Sequence, residues 1–244
     1  PRPPLARLGA AARHPAAPSG VARRRGPRRR MSDPPGRPLS KVTGKVIVAG
    51  RANVGKTCLV ERFVNDVYAA DDPTHGATIG TDAYNKRVFV DQTTEVHLFI
   101  YDTAGQERFA DMAAQYYRVG EVCLLCFDMS DMASFDNVNW WQRKVRGHND
   151  RCSFILVGTK EDSVEEGASL EPVTAWADEN GIPFFQTSAL RGGANINFLF
   201  HTVAEKCARL SREKQLSEGP AGRGGGDRLH LQSGFGAPRR GGCC

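Results

Sequence analysis

Gly50-Arg51-Ala52-Asn53-Val54-Gly55-Lys56-Thr57 has the spacing G-x-x-x-x-G-K-T and follows the apolar run Val46-Ile47-Val48-Ala49. A strand that feeds a glycine-bounded loop and then opens a helix makes a phosphate cradle. The loop N–H groups point inward, the helix N-terminus adds partial positive charge, and Lys56 reaches the outer phosphates. Thr57 offers its hydroxyl to a Mg²⁺ ion that shares those phosphates. A strand–helix turn that binds nothing has the same local pattern, so the ligand has to be read from the rest of the chain.

Length and composition bound the answer. A chain of 244 residues holds one or two domains, and 40% apolar residues are enough for a substantial core. The formal charge of +6 is concentrated at the start: residues 1–30 contain nine Arg and no acid, which leaves 24 basic against 27 acidic side chains in residues 31–244. The body is mildly acidic, so no nucleic-acid partner is expected. The cysteines are scattered (Cys58, Cys123, Cys126, Cys152, Cys207) apart from the terminal pair Cys243-Cys244. No metal-ligand spacing occurs, and the pattern suits a reducing compartment. Cys123-Leu124-Leu125-Cys126 reads as part of a buried strand; the redox alternative for such a pair would place it at the start of a helix. There is neither a run of about 18 apolar residues nor a secretory h-region.

Residues 1–40 are rich in Pro, Arg, Ala and Gly, and are expected to be disordered. Met31 is a plausible natural start, so residues 1–30 read as translated upstream sequence, with an organelle transit peptide as the alternative. From about Lys41 strand and helix patterns alternate. Strands are expected at 45–49, 86–91, 95–102, 122–128, 153–158 and 183–186, and helices near 56–66, 107–119, 134–147, 171–180 and 194–210. Such alternation builds a mostly parallel sheet with helices on both faces and ligands at the C-terminal strand ends. The second and third strands, joined by Gln92-Thr93-Thr94, form an antiparallel hairpin at the sheet edge. After residue 210 the chain becomes Gly-, Ser- and Arg-rich and reads as a flexible tail.

Three further segments name the nucleotide. Asp102-Thr103-Ala104-Gly105-Gln106 sets a carboxylate at a strand end for Mg²⁺, a glycine whose N–H can face a γ-phosphate, and a neutral side chain suited to orienting water. In Thr159-Lys160-Glu161-Asp162, the Asp162 carboxylate can accept two hydrogen bonds from the N1–H and N2–H₂ edge of guanine, which adenine lacks. Thr187-Ser188-Ala189-Leu190 adds a backbone N–H for the base O6.

With these segments, residues 41–210 resemble a Ras-superfamily small GTPase, and the Rab family in particular. Ile79-Gly80, the stretch from Asp102 to Phe109, Tyr116-Tyr117-Arg118 and the double-cysteine end carry the likeness. The resemblance implies an α/β P-loop NTPase fold of the small-GTPase kind, with a six-stranded, mostly parallel sheet and five helices. It also implies a GTP/GDP cycle in which two loops order around the γ-phosphate. By position, Asn53, Val54, Gly55, Lys56, Thr57 and Cys58 would wrap the phosphates, and Thr57, Asp102 and Thr78 would serve Mg²⁺, Thr78 only with GTP. Tyr68 and Lys160 would flank the base, and Gln106 would position the attacking water, with Ala52 small enough to leave it room. Cys243 and Cys244 would each carry a geranylgeranyl chain, since two lipids anchor stably where one does not. The implied setting is the cytoplasmic face of endomembranes, in exchange with the cytosol. Exchange factors, GTPase-activating proteins, escort or dissociation-inhibitor proteins and effectors would be the partners.

Departures from the family pattern are specific. Thr159 stands where Asn is usual, so the tie between base loop and phosphate loop is expected to weaken. The stretch from Tyr68 to Thr78 is lengthened, and Thr74 competes with Thr78 for the metal. Ala83 and Tyr101 replace two effector-facing aromatics while Tyr116 is kept, and Val119-Gly120 replaces Gly-Ala. Two rival functions remain at this point: an ATP-using P-loop enzyme, and a GTP-binding platform with poor hydrolysis.

Overall fold

The computed structural model describes residues 39–68, 78–165 and 167–217. The N-terminal extension, Thr74, the tail beyond 217 and Cys243-Cys244 lie outside the described residues. Six strands form one sheet: β1 (Ser40–Ala49), β2 (Thr81–Asp91), β3 (Thr94–Thr103), β4 (Val122–Asp128), β5 (Ser153–Thr159) and β6 (Phe184–Gln186). Their order is β2-β3-β1-β4-β5-β6, with β2 antiparallel to β3 and the other pairs parallel. The helices are α1 (Lys56–Asn65), α2 (Ala114–Val119), α3 (Val138–Arg146), α4 (Glu171–Asn180) and α5 (Ala194–Ser217).

Strand β4, Val-Cys-Leu-Leu-Cys-Phe-Asp, is buried along its whole length because helices cover both faces of the sheet. Phe63, Leu199, Phe200 and Val203 pack under α1 and α5, and Tyr117, Trp141, Val145 and Val173 fill the layer under α2, α3 and α4. Cys126 belongs to the first layer and Cys123 to the second, so the two thiols point to opposite faces and cannot form the redox pair left open above. Burial pushes Cys126 up to about 12 and Cys123 well above its ordinary value.

The boundaries differ from expectation where pairing rather than hydrophobicity makes the element. β1 begins at Ser40, before the apolar run, because Ser40 to Gly44 pair with Thr94 to Leu98 of β3. β2 begins at Thr81, in the polar stretch Thr-Asp-Ala-Tyr-Asn, because β3 supplies its partners from Tyr101 to Thr103. The hairpin link shortens to Gln92-Thr93. The expected helix at 107–119 divides into a 3₁₀ turn, Glu107–Ala113, and α2. The helix expected from 134 starts at Val138, after a 3₁₀ turn, Met132–Ser134, whose Ala133 N–H donates to Asp131. α5 continues to Ser217, past the expected domain end at 210, helped by an Arg209–Glu213 pair one turn apart. At Gly120 a β-carbon would come within 2.1 Å of the buried Ile47 side chain, so the alanine usual near this position does not fit.

Candidate functional site

The site is built at the C-terminal ends of β1, β3, β5 and β6. Between β1 and α1 the chain turns sharply: Gly50, Asn53 and Gly55 have φ of 151, 63 and 89. A β-carbon on Gly50 would lie 2.2 Å from the Cys126 carbonyl oxygen, so this glycine is required by close approach as well as by its dihedral angle. No side chain caps α1, and the first helical bond runs from Leu59 N–H to Gly55, so the earlier amides are left for a ligand. Lys56 is buried, with Nζ donating to the carbonyls of Gly50 and Arg51 at 3.0 Å each. Burial lowers its pKa, and Asp102 opposes that shift.

Three oxygens converge beside it. Thr57 Oγ1 donates to Asp102 Oδ2 at 2.5 Å and lies 2.9 Å from Thr78 Oγ1, which is 3.5 Å from the same carboxylate oxygen. Asp102 is fully buried, and its Oδ1 has no hydrogen-bond partner among the described residues. Burial pushes its carboxyl up to about 6 against the pull of the Thr57 hydroxyl and Lys56. Across from these groups, a β-carbon on Gly105 would sit 2.4 Å from both Ala52 N and Lys56 Nζ. Gln106 follows, its Oε1 accepting from Arg108 Nε at 2.9 Å.

At the other end Asp162 sits on a 3₁₀ turn after β5. Ser188 Oγ donates to its Oδ1, and Ser163 Oγ to its Oδ2 at 3.0 Å. Partial burial raises this carboxyl, but the two serine hydrogen bonds bring it below the ordinary carboxylate range. Arg62 of α1 reaches across to the carbonyls of Ala189 at 2.7 Å and Leu190 at 3.3 Å, with its guanidinium carbon 6.0 Å from the Tyr68 ring centroid. One cavity of about 350 Å³ joins the two ends. Asn53, Gly55, Lys56, Thr57, Cys58, Tyr68, Thr78, Gly105, Gln106, Thr159, Lys160, Asp162, Ala189 and Leu190 all line it.

The Ras family profile matches residues 45–209. The chain is 36% identical over 203 residues to the Ras-related protein SEC4 of Saccharomyces cerevisiae, covering 82% of this chain and 90% of that protein. It is 39% identical over 187 residues to the GTP-binding protein yptV2 of Volvox carteri, covering 75% and 84%. With the Ras-related protein Rab-37 of Homo sapiens it shares 38% over 191 residues, covering 78% and 83%. The chain belongs to the Ras family. Within it, it is a divergent Rab-type small GTPase: an enzyme that binds GTP and GDP with Mg²⁺, hydrolyses GTP and serves vesicle trafficking on endomembranes.

The residues of this Rab-type GTPase fit the cation. The orphaned, buried Asp102 Oδ1 and two neighbouring hydroxyls are hard oxygen donors of the kind Mg²⁺ takes. Among the described residues no group of three or more His, Cys, Asp or Glu forms a metal cage. One carboxylate and two hydroxyls leave the remaining coordination to phosphate oxygens and water.

Of the predicted residues among those described, Asp102, Val54 and Ser188 do not line the cavity. Val54 is buried in the core, and Ser188 is buried behind Asp162. Cys58 is partly buried, with its thiol pushed up by burial, so it is a wall of the site and not a nucleophile. Thr159 makes a tie of its own: its hydroxyl reaches both the Val54 and the Phe127 carbonyls, at 2.8 Å for the latter, and so joins base loop to phosphate loop. Sequence reasoning missed Ser163 and Arg62. Ser163 adjoins Asp162, which was the one available signal; Arg62 looks like any surface residue until α5's leading loop folds onto it.

The third departure also resolves in three dimensions. Ala83 pairs with Tyr101 across the hairpin, and Tyr101 packs on Tyr116 with centroids 4.6 Å apart. Tyr84 turns to the other face, packing under α1 with its hydroxyl 3.4 Å from Glu61, and does not replace the missing aromatic.

Proposed function

We propose that this Rab-type protein is a membrane-tethered switch whose nucleotide lies in the 350 Å³ cavity, phosphates on the Gly50–Thr57 side and guanine on the Asp162 side. The observation that carries it is the meeting of Thr57, Thr78 and Asp102 beside Lys56, at one end of a cavity whose other end holds the Asp162 carboxylate. Asn53, Val54, Gly55, Lys56, Thr57 and Cys58 hold the phosphates, Lys56 moving from loop carbonyls to phosphate oxygens. Thr57, Thr78 and Asp102 hold Mg²⁺, which when bound neutralises charge on the phosphate oxygens. Tyr68 and Lys160 flank the base, Asp162 and Ser188-Ala189-Leu190 read its edge, and Thr159 ties the two loops. Gln106 orients the water that attacks in line, and among the described residues no arginine lines the cavity, so turnover is slow until a partner supplies one.

Gln106→Leu is expected to slow single-turnover GTP hydrolysis on the order of tenfold to a hundredfold, through loss of water positioning. The Arg108–Gln106 hydrogen bond favours a second reading, a GTP-binding platform in which the glutamine is held away from its water. Equal hydrolysis rates for parent and variant would select that platform.

The GTPase domain is assigned to residues 41–210, with α5 extending to Ser217 as a stalk and the remaining tail as tether. Cys243 and Cys244 carry two prenyl chains, and the protein cycles between the cytoplasmic face of endomembranes and cytosol. Exchange factors, GTPase-activating proteins, escort or dissociation-inhibitor proteins and effectors act on it; nucleic acid does not. Replacing both terminal cysteines by serine is expected to move the protein from the membrane pellet to the supernatant on cell fractionation; retention in the pellet would refute lipid anchoring.

A further inference from the structure

Lys160 forms the wall between two cavities. On one side it lines the nucleotide cavity; on the other it borders a second cleft of about 280 Å³ outside the phosphate loop, with Arg51, Asn53, Asp128 and Asp131. Its backbone is in the left-handed region, at φ 56, and its ammonium is held at two points: 2.6 Å from Asp128 Oδ2 and 2.9 Å from the Asn53 carbonyl, to which it donates. Asp128, at the end of β4, is itself fixed. Its Oδ1 accepts from Ser130 N–H at 2.9 Å and from Ser130 Oγ at 2.6 Å, the arrangement of an Asx turn. Partial burial raises this carboxyl, yet the Lys160 and Ser130 hydrogen bonds bring it below its ordinary value, so it is charged at neutral pH.

This link is a second tie beside the one that Thr159 makes. Its hydroxyl has one hydrogen for two carbonyls, those of Val54 and Phe127, so it bonds only one fully at a time, whereas a side-chain amide would have two donors. The link from Asp128 through Lys160 to Asn53 spans the same gap between β4 and the phosphate loop. Without the carboxylate, the ammonium is free to swing into the outer cleft, and the Asn53 carbonyl loses its fixed donor.

We infer that Asp128 is a positioning residue for nucleotide retention, acting through Lys160 to hold the phosphate loop against the base motif. This rests on placing the guanine nucleotide in the main cavity. The test follows release of a fluorescent GDP analogue chased by excess GDP in Mg²⁺ buffer, with full-length protein. Asp128→Asn keeps the Ser130 acceptor and removes the charge facing Lys160. It is expected to release the analogue about tenfold faster, the scale of one hydrogen bond between charged groups. On a Lys160→Met background the same change is expected to alter release less than about twofold, because the coupled partner is gone. Asp131→Asn, whose carboxylate faces Arg51 at 3.8 Å across the same cleft, is expected to behave like the parent. If Lys160→Met releases nucleotide too fast to be loaded, amide exchange decides: Asp128→Asn in the GDP-bound state should speed exchange in residues 50–57 and leave α3 unchanged. An unchanged release rate, an effect that persists without Lys160, or exchange that rises everywhere would overturn the role of Asp128. A parent protein that binds no GDP analogue would instead overturn the nucleotide assignment.

Discussion

Asp162→Asn is expected to lower GDP affinity by three to four orders of magnitude, on the order of 10³–10⁴, and to make xanthosine diphosphate the better ligand. The carboxylate offers acceptors to two adjacent donors on guanine. An amide in its place sets an N–H against an N–H and leaves a buried donor unmatched, whereas xanthine carries a carbonyl at that position. The hydroxyls of Ser188 and Ser163 fix the plane of the carboxylate, so the replacement cannot easily rotate to avoid the conflict. Displacement of a fluorescent GDP analogue by GDP and by xanthosine diphosphate measures both halves of the exchange. Unchanged GDP affinity would remove Asp162 from the base site.

Gly105→Ala is expected to weaken binding of a non-hydrolysable GTP analogue about 10- to 100-fold while GDP binding changes less. The cause is overpacking of about 1–3 kcal/mol. Gly105 does not have a positive φ, so alanine's backbone is tolerated and the effect is steric. The added carbon would meet Ala52 N at 2.4 Å and Ala52 Cα at 2.6 Å, backbone atoms that cannot swing aside as the end of a flexible side chain could. The Asp102–Gln106 segment would then stand off from the phosphate loop on the γ-phosphate side. Parallel titrations with the two nucleotides test this; equal losses for both would mean that the loop as a whole was deformed.

Much of the fold was legible because its signals are local. The apolar run of β4, with every residue buried, reads as a central strand from composition alone. The first halves of β1 and β2 do not, because Lys41-Val42-Thr43-Gly44 and Thr81-Asp82-Ala83 become strand by hydrogen bonding to β3, and the pairing partner is distant in sequence. In the site, Asp102 and Gln106 were legible from their place at and just after the end of a strand. Arg62 was not: it reaches Ala189 across 127 residues of chain.

Thr159 shows the limit most clearly. As a letter in a motif it signalled a weakened tie; in place, β5 brings its hydroxyl within reach of the Val54 carbonyl. The sequence alone was enough to propose phosphate binding at Gly50–Thr57, because a helix N-terminus, a glycine-bounded turn and a lysine act through consecutive residues. Only the tertiary structure brought Thr78 to Thr57 and Asp102, oriented Asp162 with Ser188, and set Asp128 behind Lys160. Those contacts depend on strand order and register, which set distances between residues far apart in the chain.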